Sequence, residues 1–176
     1  ESDYKEKGTF IKWNPAVKSQ KDKAGLWKAL LDDRIDVIAT DHAPHTLEEK
    51  NQVYTKAPSG GPLVQHALVI MMDAVKNGKI TVEKMVQKMC HNPAILFRIE
   101  KRGFIREGYY ADLVIVDANV PQTVNSDNIL YKCGWSPFEG QSFSSSVTHT
   151  FVNGNLVYKE GVFYGDEKGR RLLFNR

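Results

Sequence analysis

Cysteine is scarce in this chain of 176 residues: there are two, Cys90 and Cys133, far apart and with no Cys-x-x-Cys pair. That scarcity excludes a disulfide framework and a cysteine-based zinc site, and it fits a reducing cytoplasm. Cys90 lies beside apolar residues and is expected to be buried and inert. Long apolar runs are missing too: nothing approaches the roughly 20 residues that a membrane span requires. Charge of one sign is not concentrated. The formal net charge is +3, and Lys5, Lys7, Lys12, Lys18, Lys21 and Lys23 are scattered, so neither nucleic acid nor a membrane is expected as a partner. There is no internal repeat or low-complexity tract. Residues 1–7 form a polar run with neither a packing pattern nor a leader sequence, and the chain is expected to begin inside something larger. The remainder is ordinary globular material, 41% hydrophobic and 26% charged, enough for one domain or one and a half.

Apolar periodicity divides the chain near residue 100. Before that point, Gly8 to Trp13 alternates and predicts a strand, and Ile35 to Ala39 predicts a buried one. Between them, Ser19 and Asp22 form an imperfect capping box for a helix carrying Leu26, Trp27, Leu30 and Leu31. Pro62 is expected to open a second helix from Leu63 to Val75, stopped by Asn77-Gly78. Thr81 should cap a third, with Asn92-Pro93 interrupting it. After residue 100 the texture turns to strands: Gly103 to Ile105, Ala111 to Asp117, and a hairpin of Thr148–Val152 and Asn155–Tyr158 around Asn153-Gly154. Residues 1–100 therefore read as α/β, and residues 101–176 as a small antiparallel β unit with a long loop from Val120 to Ser146.

Chemistry concentrates just past the predicted strand at residues 35–39, in Asp41-His42-Ala43-Pro44-His45. Strand ends are where the catalytic groups of α/β barrels collect. A carboxylate there can hold a metal ion and carry a proton. An Asp in a polar turn is also an ordinary turn former, and a loop His also bonds to backbone. His66, His91 and His149 lie in helical or hairpin settings and read as structural, and Met71, Met72, Met85 and Met89 read as core.

The run from Asp36 to His45 resembles the last barrel strand of dihydroorotases of the longer, bacterial type. Asn14-Pro15, 27 positions before Asp41, resembles their Asn-Pro-Pro-Leu-Arg segment, and Ala57 to Gly60 their Ala-Pro-Phe-Gly segment. Asn92-Pro93-Ala94, Gly103 to Gly108, Ala111 to Asp117, Trp135 to Gly140 and Phe151 to Gly154 resemble the tail shared by many amidohydrolases. Departures stand at Ala16 and Lys18, where such enzymes usually have Pro and Arg, and at Ser59, Leu63 and Gln65 in place of an aromatic, a Gly and a Glu. The early His-x-His, the carboxylated Lys and two further His of those enzymes have no counterpart here. A (β/α)8 barrel takes about 200 residues or more. The resemblance thus implies the last strands and helices of a metal-dependent amidohydrolase barrel plus part of a β unit, the carboxyl-terminal part of the enzyme.

It also implies a reaction and roles. Dihydroorotases interconvert L-dihydroorotate and N-carbamoyl-L-aspartate in pyrimidine synthesis, using two Zn²⁺ that polarise the amide carbonyl and activate a water. By resemblance Asp41 is a metal ligand and the proton shuttle, and His45, Asn14, Ser59 and Gly60 contact the substrate. Ser59 and Gly60 do so through backbone N–H groups beside a helix start. His42, though adjacent, has a supporting or packing role. Most metal ligands lie outside this chain, so its partners are the small-molecule substrate and the rest of the same enzyme; homodimers are common among such enzymes. The isolated chain is expected to be inactive. Two other readings stay open: a non-catalytic scaffold partnering aspartate transcarbamoylase, and a related cyclic amidase acting on a hydantoin, dihydropyrimidine or allantoin.

Overall fold

Side-chain oxygens set three helix starts. In the computed structural model, which describes residues 2–165 and 169–175, the helices are α1 (Tyr4–Lys7), α2 (Gln20–Leu31), α3 (Leu47–Lys50), α4 (Ala67–Lys76), α5 (Val82–Val86) and α6 (Asn92–Leu96). The strands are β1 (Leu113–Asp117), β2 (Gln122–Thr123), β3 (Ser142–Phe143), β4 (Ser146–Val152), β5 (Asn155–Lys159) and β6 (Val162–Phe163). Ser19 and Asp22 close a complete capping box at α2: the Asp22 N–H donates to Ser19 Oγ at 3.3 Å and the Ser19 N–H to Asp22 Oδ2 at 3.1 Å. Thr46 and Glu49 do the same for α3, and Thr81 Oγ1 accepts from the Lys84 N–H at α5. Each cap satisfies a donor that the first helical turn leaves without a partner.

One compact unit comprises Glu1–Ile35, Ala39–Ile70 and Thr123–Ser142. Its first segment corrects the predicted strand at residues 8–13. Gly8, at φ 49°, ends α1, and Gly8–Ile11 winds into a 3-10 turn. Alternation over so few residues fits a tight turn as well as a strand, and among the described residues no neighbouring strand is present to select the latter. Ile11 is buried, and Phe10 meets the ring of Trp135 edge-on at 5.1 Å. The predicted strand at residues 35–39 is likewise irregular chain, with no ladder among the described residues; the nearest pairing is a single parallel bridge between His42 and Gly61. A strand exists through its neighbours, and an apolar run alone supplies none. The predicted helix from Leu63 begins four residues late, at Ala67. Three of the four intervening N–H groups go to side chains: Leu63 and Val64 donate to His42 Nδ1 at 3.0 and 3.3 Å, and Gln65 donates to the Tyr131 hydroxyl at 2.9 Å.

The second unit comprises Asp36–Ile38, Met71–Gln122 and Phe143–Arg176. Its core includes Met71, Ala74, Ile80, Met85 and Ala94. Between α5 and α6 the chain makes a π turn, Gln87–His91, whose widened loop ends with the Asn92 N–H donating to the Gln87 carbonyl. Pro93 then sits in the first turn of α6, where its missing N–H costs nothing. Gly103 to Ile105 is a turn rather than the predicted strand. At Gly103, φ is 78° and a Cβ would stand 2.5 Å from Ala94 Cβ, so close packing against α6 dictates the bend. Phe104 stacks on His91 at 4.3 Å. Cys90, within the π turn, is exposed, correcting the expected burial; the surrounding chain still pushes its thiol pKa up by desolvation.

The predicted hairpin forms as β4 and β5, with Asn153 at φ 52° and Gly154 at φ 87°, the left-handed pair that a tight two-residue turn requires. The antiparallel sheet runs β1-β4-β5-β6, with Leu113 opposite Phe151 and Val152 opposite Asn155. β2 and β3 pair within the long loop, giving order to a segment predicted as irregular. Among the described residues, no helix is long and apolar enough to cross a membrane.

Candidate active site

Two loops of the first unit lie side by side. One is residues 41–46, after the irregular segment at 35–39; the other is residues 57–61. Ala43 donates its N–H to the Gly61 carbonyl at 3.2 Å, next to the His42–Gly61 bridge. The approach is close enough to demand glycine. At Gly60, φ is 121°, and a Cβ would stand 2.7 Å from Ala43 Cβ and 2.8 Å from the Ala43 carbonyl oxygen. At Gly61 a Cβ would press on Trp13 at 3.2 Å and Trp135 at 3.4 Å.

Three of the five predicted site residues meet at this junction. His45 Nε2 lies 3.1 Å from the Ser59 carbonyl oxygen. A carbonyl can only accept, so this nitrogen carries the proton. The other ring nitrogen, Nδ1, faces Glu49 Oε2 at 3.6 Å. Glu49 is held below the usual carboxylate range, first by the Thr46 N–H. The backbone of His45 is fixed as well: Trp135 Nε1–H donates to its carbonyl at 2.7 Å. Gly60 completes the trio, but its N–H already donates to the Lys12 carbonyl at 2.9 Å.

Asp41 opens the same loop. It is exposed, sits at φ 47°, and its carboxylate has no hydrogen bond or ion pair among the described residues. Left-handed backbone at a non-glycine residue is uncommon, though Asp tolerates it. Asn14 is also exposed; its side chain has no bond to the other four residues, but it lies two positions past Lys12, whose carbonyl holds Gly60. His42 turns its Nδ1 toward the approach to α4 and tilts its ring against Tyr131 at 5.4 Å. A cavity of about 500 Å³ opens between this loop and Tyr131, lined by His42, Pro44, His45, Glu49, Lys132 and Cys133.

Sequence reasoning missed two lysines that build the junction. Lys50, at the end of α3, is completely buried, and its ammonium donates to the carbonyls of Gly60 at 2.8 Å, Pro58 at 2.9 Å and Lys12 at 3.4 Å. Burial first, and then the nearby Lys12 charge, lowers its pKa. Lys12 itself donates to the carbonyls of Ala57 at 2.6 Å and Tyr54 at 2.7 Å. A lysine in a charged helical turn gives no sign in the sequence that it will be buried. His66 is buried beneath Tyr131 and Ser136, 3.3 Å from the hydroxyl of the first and 3.4 Å from that of the second. Desolvation lowers the His66 pKa and pushes that of Tyr131 up to about 12.

Among the described residues, no group of three or more His, Cys, Asp or Glu side chains converges as a metal site. The chain offers Asp41 as one open carboxylate donor, which fits a single ligand position and not a whole centre.

Comparison with known proteins places this geometry. The chain is 38% identical over 172 residues to a dihydroorotase of Pyrococcus furiosus, covering 98% of the chain and 40% of that protein. It is 40% identical over 154 residues to a dihydroorotase of Clostridium acetobutylicum, covering 87% of the chain and 36% of that protein. The chain thus spans about two fifths of the length of such relatives. Among solved structures it resembles the L-hydantoinase (dihydropyrimidinase) of Arthrobacter aurescens, with a TM-score of 0.85 and 29% identity over 93% of the chain and 38% of that enzyme. Residues 14–157 match the model of the amidohydrolase family. That match takes in both loops of the junction and most of the antiparallel sheet, and the chain belongs to the amidohydrolase family.

Proposed function

We propose that this chain supplies the Asp41 loop and part of the substrate cradle of a dihydroorotase, which interconverts L-dihydroorotate and N-carbamoyl-L-aspartate. The observation that supports this most directly is an exposed carboxylate with no partner among the described residues, four residues before a histidine fixed against the Ser59–Gly60 backbone. In this reading residues 1–100 belong to the catalytic (β/α)8 barrel and residues 101–176 to the β unit beside it. The rest of the metal centre comes from residues outside the chain, and the enzyme works in the cytoplasm, with a homodimer as its assembly.

A pair of zinc ions, when bound, would polarise the ring carbonyl and lower the pKa of a water; Asp41 would be this chain's ligand to them. The work of the chain itself is positioning and proton transfer. Hydrolysis adds water across the ring C–N bond: oxygen goes to the carbonyl carbon and a proton to the departing nitrogen. Asp41 takes that proton from the attacking water and returns it to the nitrogen, leaving the carboxylate unchanged. Asn14 both donates and accepts to the ring amide. Ser59 contributes its N–H to the substrate carboxylate. The Gly60 N–H can join only by sharing its bond to Lys12, so the larger contribution of Gly60 is its missing side chain. His45 reaches the substrate by turning from, or sharing, the Ser59 carbonyl.

The likeness to a hydantoinase at TM-score 0.85 favours one second reading, a related cyclic amidase. Assay of the polypeptide at the full length of its relatives separates the two. Ring opening of L-dihydroorotate at least tenfold faster than of hydantoin or dihydrouracil is expected; the reverse order replaces dihydroorotase with the second reading.

A further inference from the structure

The fully buried cation that ties the Pro58–Gly60 backbone to Lys12 is not one of the predicted site residues. Lys50 has no exposed surface, and no carboxylate pairs with it among the described residues. Its charge is met by three backbone carbonyls and, at 5.9 Å, the face of Trp135. Burying a cation in this way is costly, and an apolar side chain of the same length would be cheaper to bury. What the ammonium adds is direction: three donors on one nitrogen, aimed at Pro58, Gly60 and Lys12.

Two of those carbonyls bracket the segment that His45 touches. Pro58 precedes Ser59, whose carbonyl receives His45 Nε2–H, and Gly60 follows it. The Lys12 carbonyl that Lys50 reaches also accepts the Gly60 N–H. Lys50 therefore grips both sides of Ser59 and the anchor of Gly60 at once. Its own carbonyl is tied down by the Thr9 hydroxyl at 2.5 Å. The grip leads back to the Asp41 loop through five residues of chain, because Lys50 ends the helix that His45 and the Thr46 cap begin.

We propose that Lys50 is a positioning residue, whose buried ammonium sets the Pro58–Gly60 backbone and through it the ring of His45, so that both meet the substrate in register. The backbone half of this statement stands on the structure alone; the substrate half rests on the dihydroorotase reading. Lys50 touches no reacting atom. Its removal should loosen binding more than it slows the chemical step.

The test replaces Lys50 with Met, which keeps the stem and deletes the donors, and separately with Arg, which keeps charge but not the compact geometry. Both are made in the enzyme at the length of its relatives. Amide hydrogen exchange at Ser59–Gly61 and the ring nitrogen shifts of His45 are read without substrate, and KM and kcat for L-dihydroorotate with it. The proposal expects exchange at Gly60 at least tenfold faster in Lys50→Met, a moved His45 Nε2 signal, KM raised at least tenfold and kcat within threefold, with metal content unchanged. If Lys50→Met fails to fold, the same criteria apply to Lys50→Arg. Unchanged exchange and unchanged His45 shifts overturn the proposal whatever the kinetics do. A loosened loop with KM intact also overturns it, since the grip would then serve stability only. If the parent enzyme does not turn over L-dihydroorotate, the functional reading falls, and the loop measurements alone decide whether Lys50 holds this backbone.

Discussion

Replacing Gly60 with Ala tests the junction at its tightest point. The new methyl group would lie 2.7 Å from Ala43 Cβ and 2.8 Å from the Ala43 carbonyl oxygen, on a backbone at φ 121°. Neither obstacle is the free end of a flexible side chain, so the loops must part. Backbone strain of this kind costs about 1–3 kcal/mol, and forcing a methyl group into a packed site about 1–3 kcal/mol more. With a urea slope of about 2 kcal/mol/M, the middle of the usual range, the unfolding midpoint should fall by about 1–3 M. Gly25→Ala is the matched control: it lies within α2, has nothing within 4 Å of its would-be Cβ, and has no positive φ. That change should stabilise by about 0.5–1 kcal/mol through helix propensity. Urea titration followed by circular dichroism reads both. A Gly60→Ala protein within about 0.5 kcal/mol of the parent, an ordinary surface effect, would refute the close approach of residues 43 and 60.

Asp41→Asn keeps a residue that tolerates the left-handed backbone and removes the proton carrier. Turnover of L-dihydroorotate by the enzyme at the length of its relatives should drop by about 10²–10⁴-fold with the melting temperature unchanged; turnover within tenfold of the parent removes Asp41 from the reaction. His66 gives a pH test. Its folded pKa is depressed by burial, so between that value and the ordinary one near 6.5 the unfolded state binds more protons. Stability is therefore complete above about pH 6.5 and declines as pH falls through the window below it. His66→Gln should flatten that decline in urea midpoints measured at several pH values; an equally steep decline assigns the acid sensitivity elsewhere.

What could be read from the sequence was local. Ser19 and Thr81 announce helices because a hydroxyl at that position satisfies the first-turn donors whatever lies around it. Asn153-Gly154 announces a hairpin because few residue pairs accept two positive φ values. The hidden features depended on distant residues. Residues 35–39 have a strand's composition but, among the described residues, no adjacent strand to pair with. The late start of α4 depends on His42 and on Tyr131, more than 60 positions away in the chain. The candidate site divides along the same line. Asp41, His45, Ser59 and Gly60 could be picked out as a motif, whereas the burial of Lys50 follows from where four carbonyls of residues 54–60 turn to meet two lysines.

The helix entry built by His42 has a practical consequence. The imidazole that takes two N–H groups ahead of α4 is the immediate neighbour of the proposed proton carrier. A molecule that drags the acid out of place must also tug on this imidazole, and the two amides it shelters would then exchange with solvent. Protection of the Leu63 and Val64 amides is therefore expected to change with occupancy next door, a readout that needs no label at the proposed reacting centre.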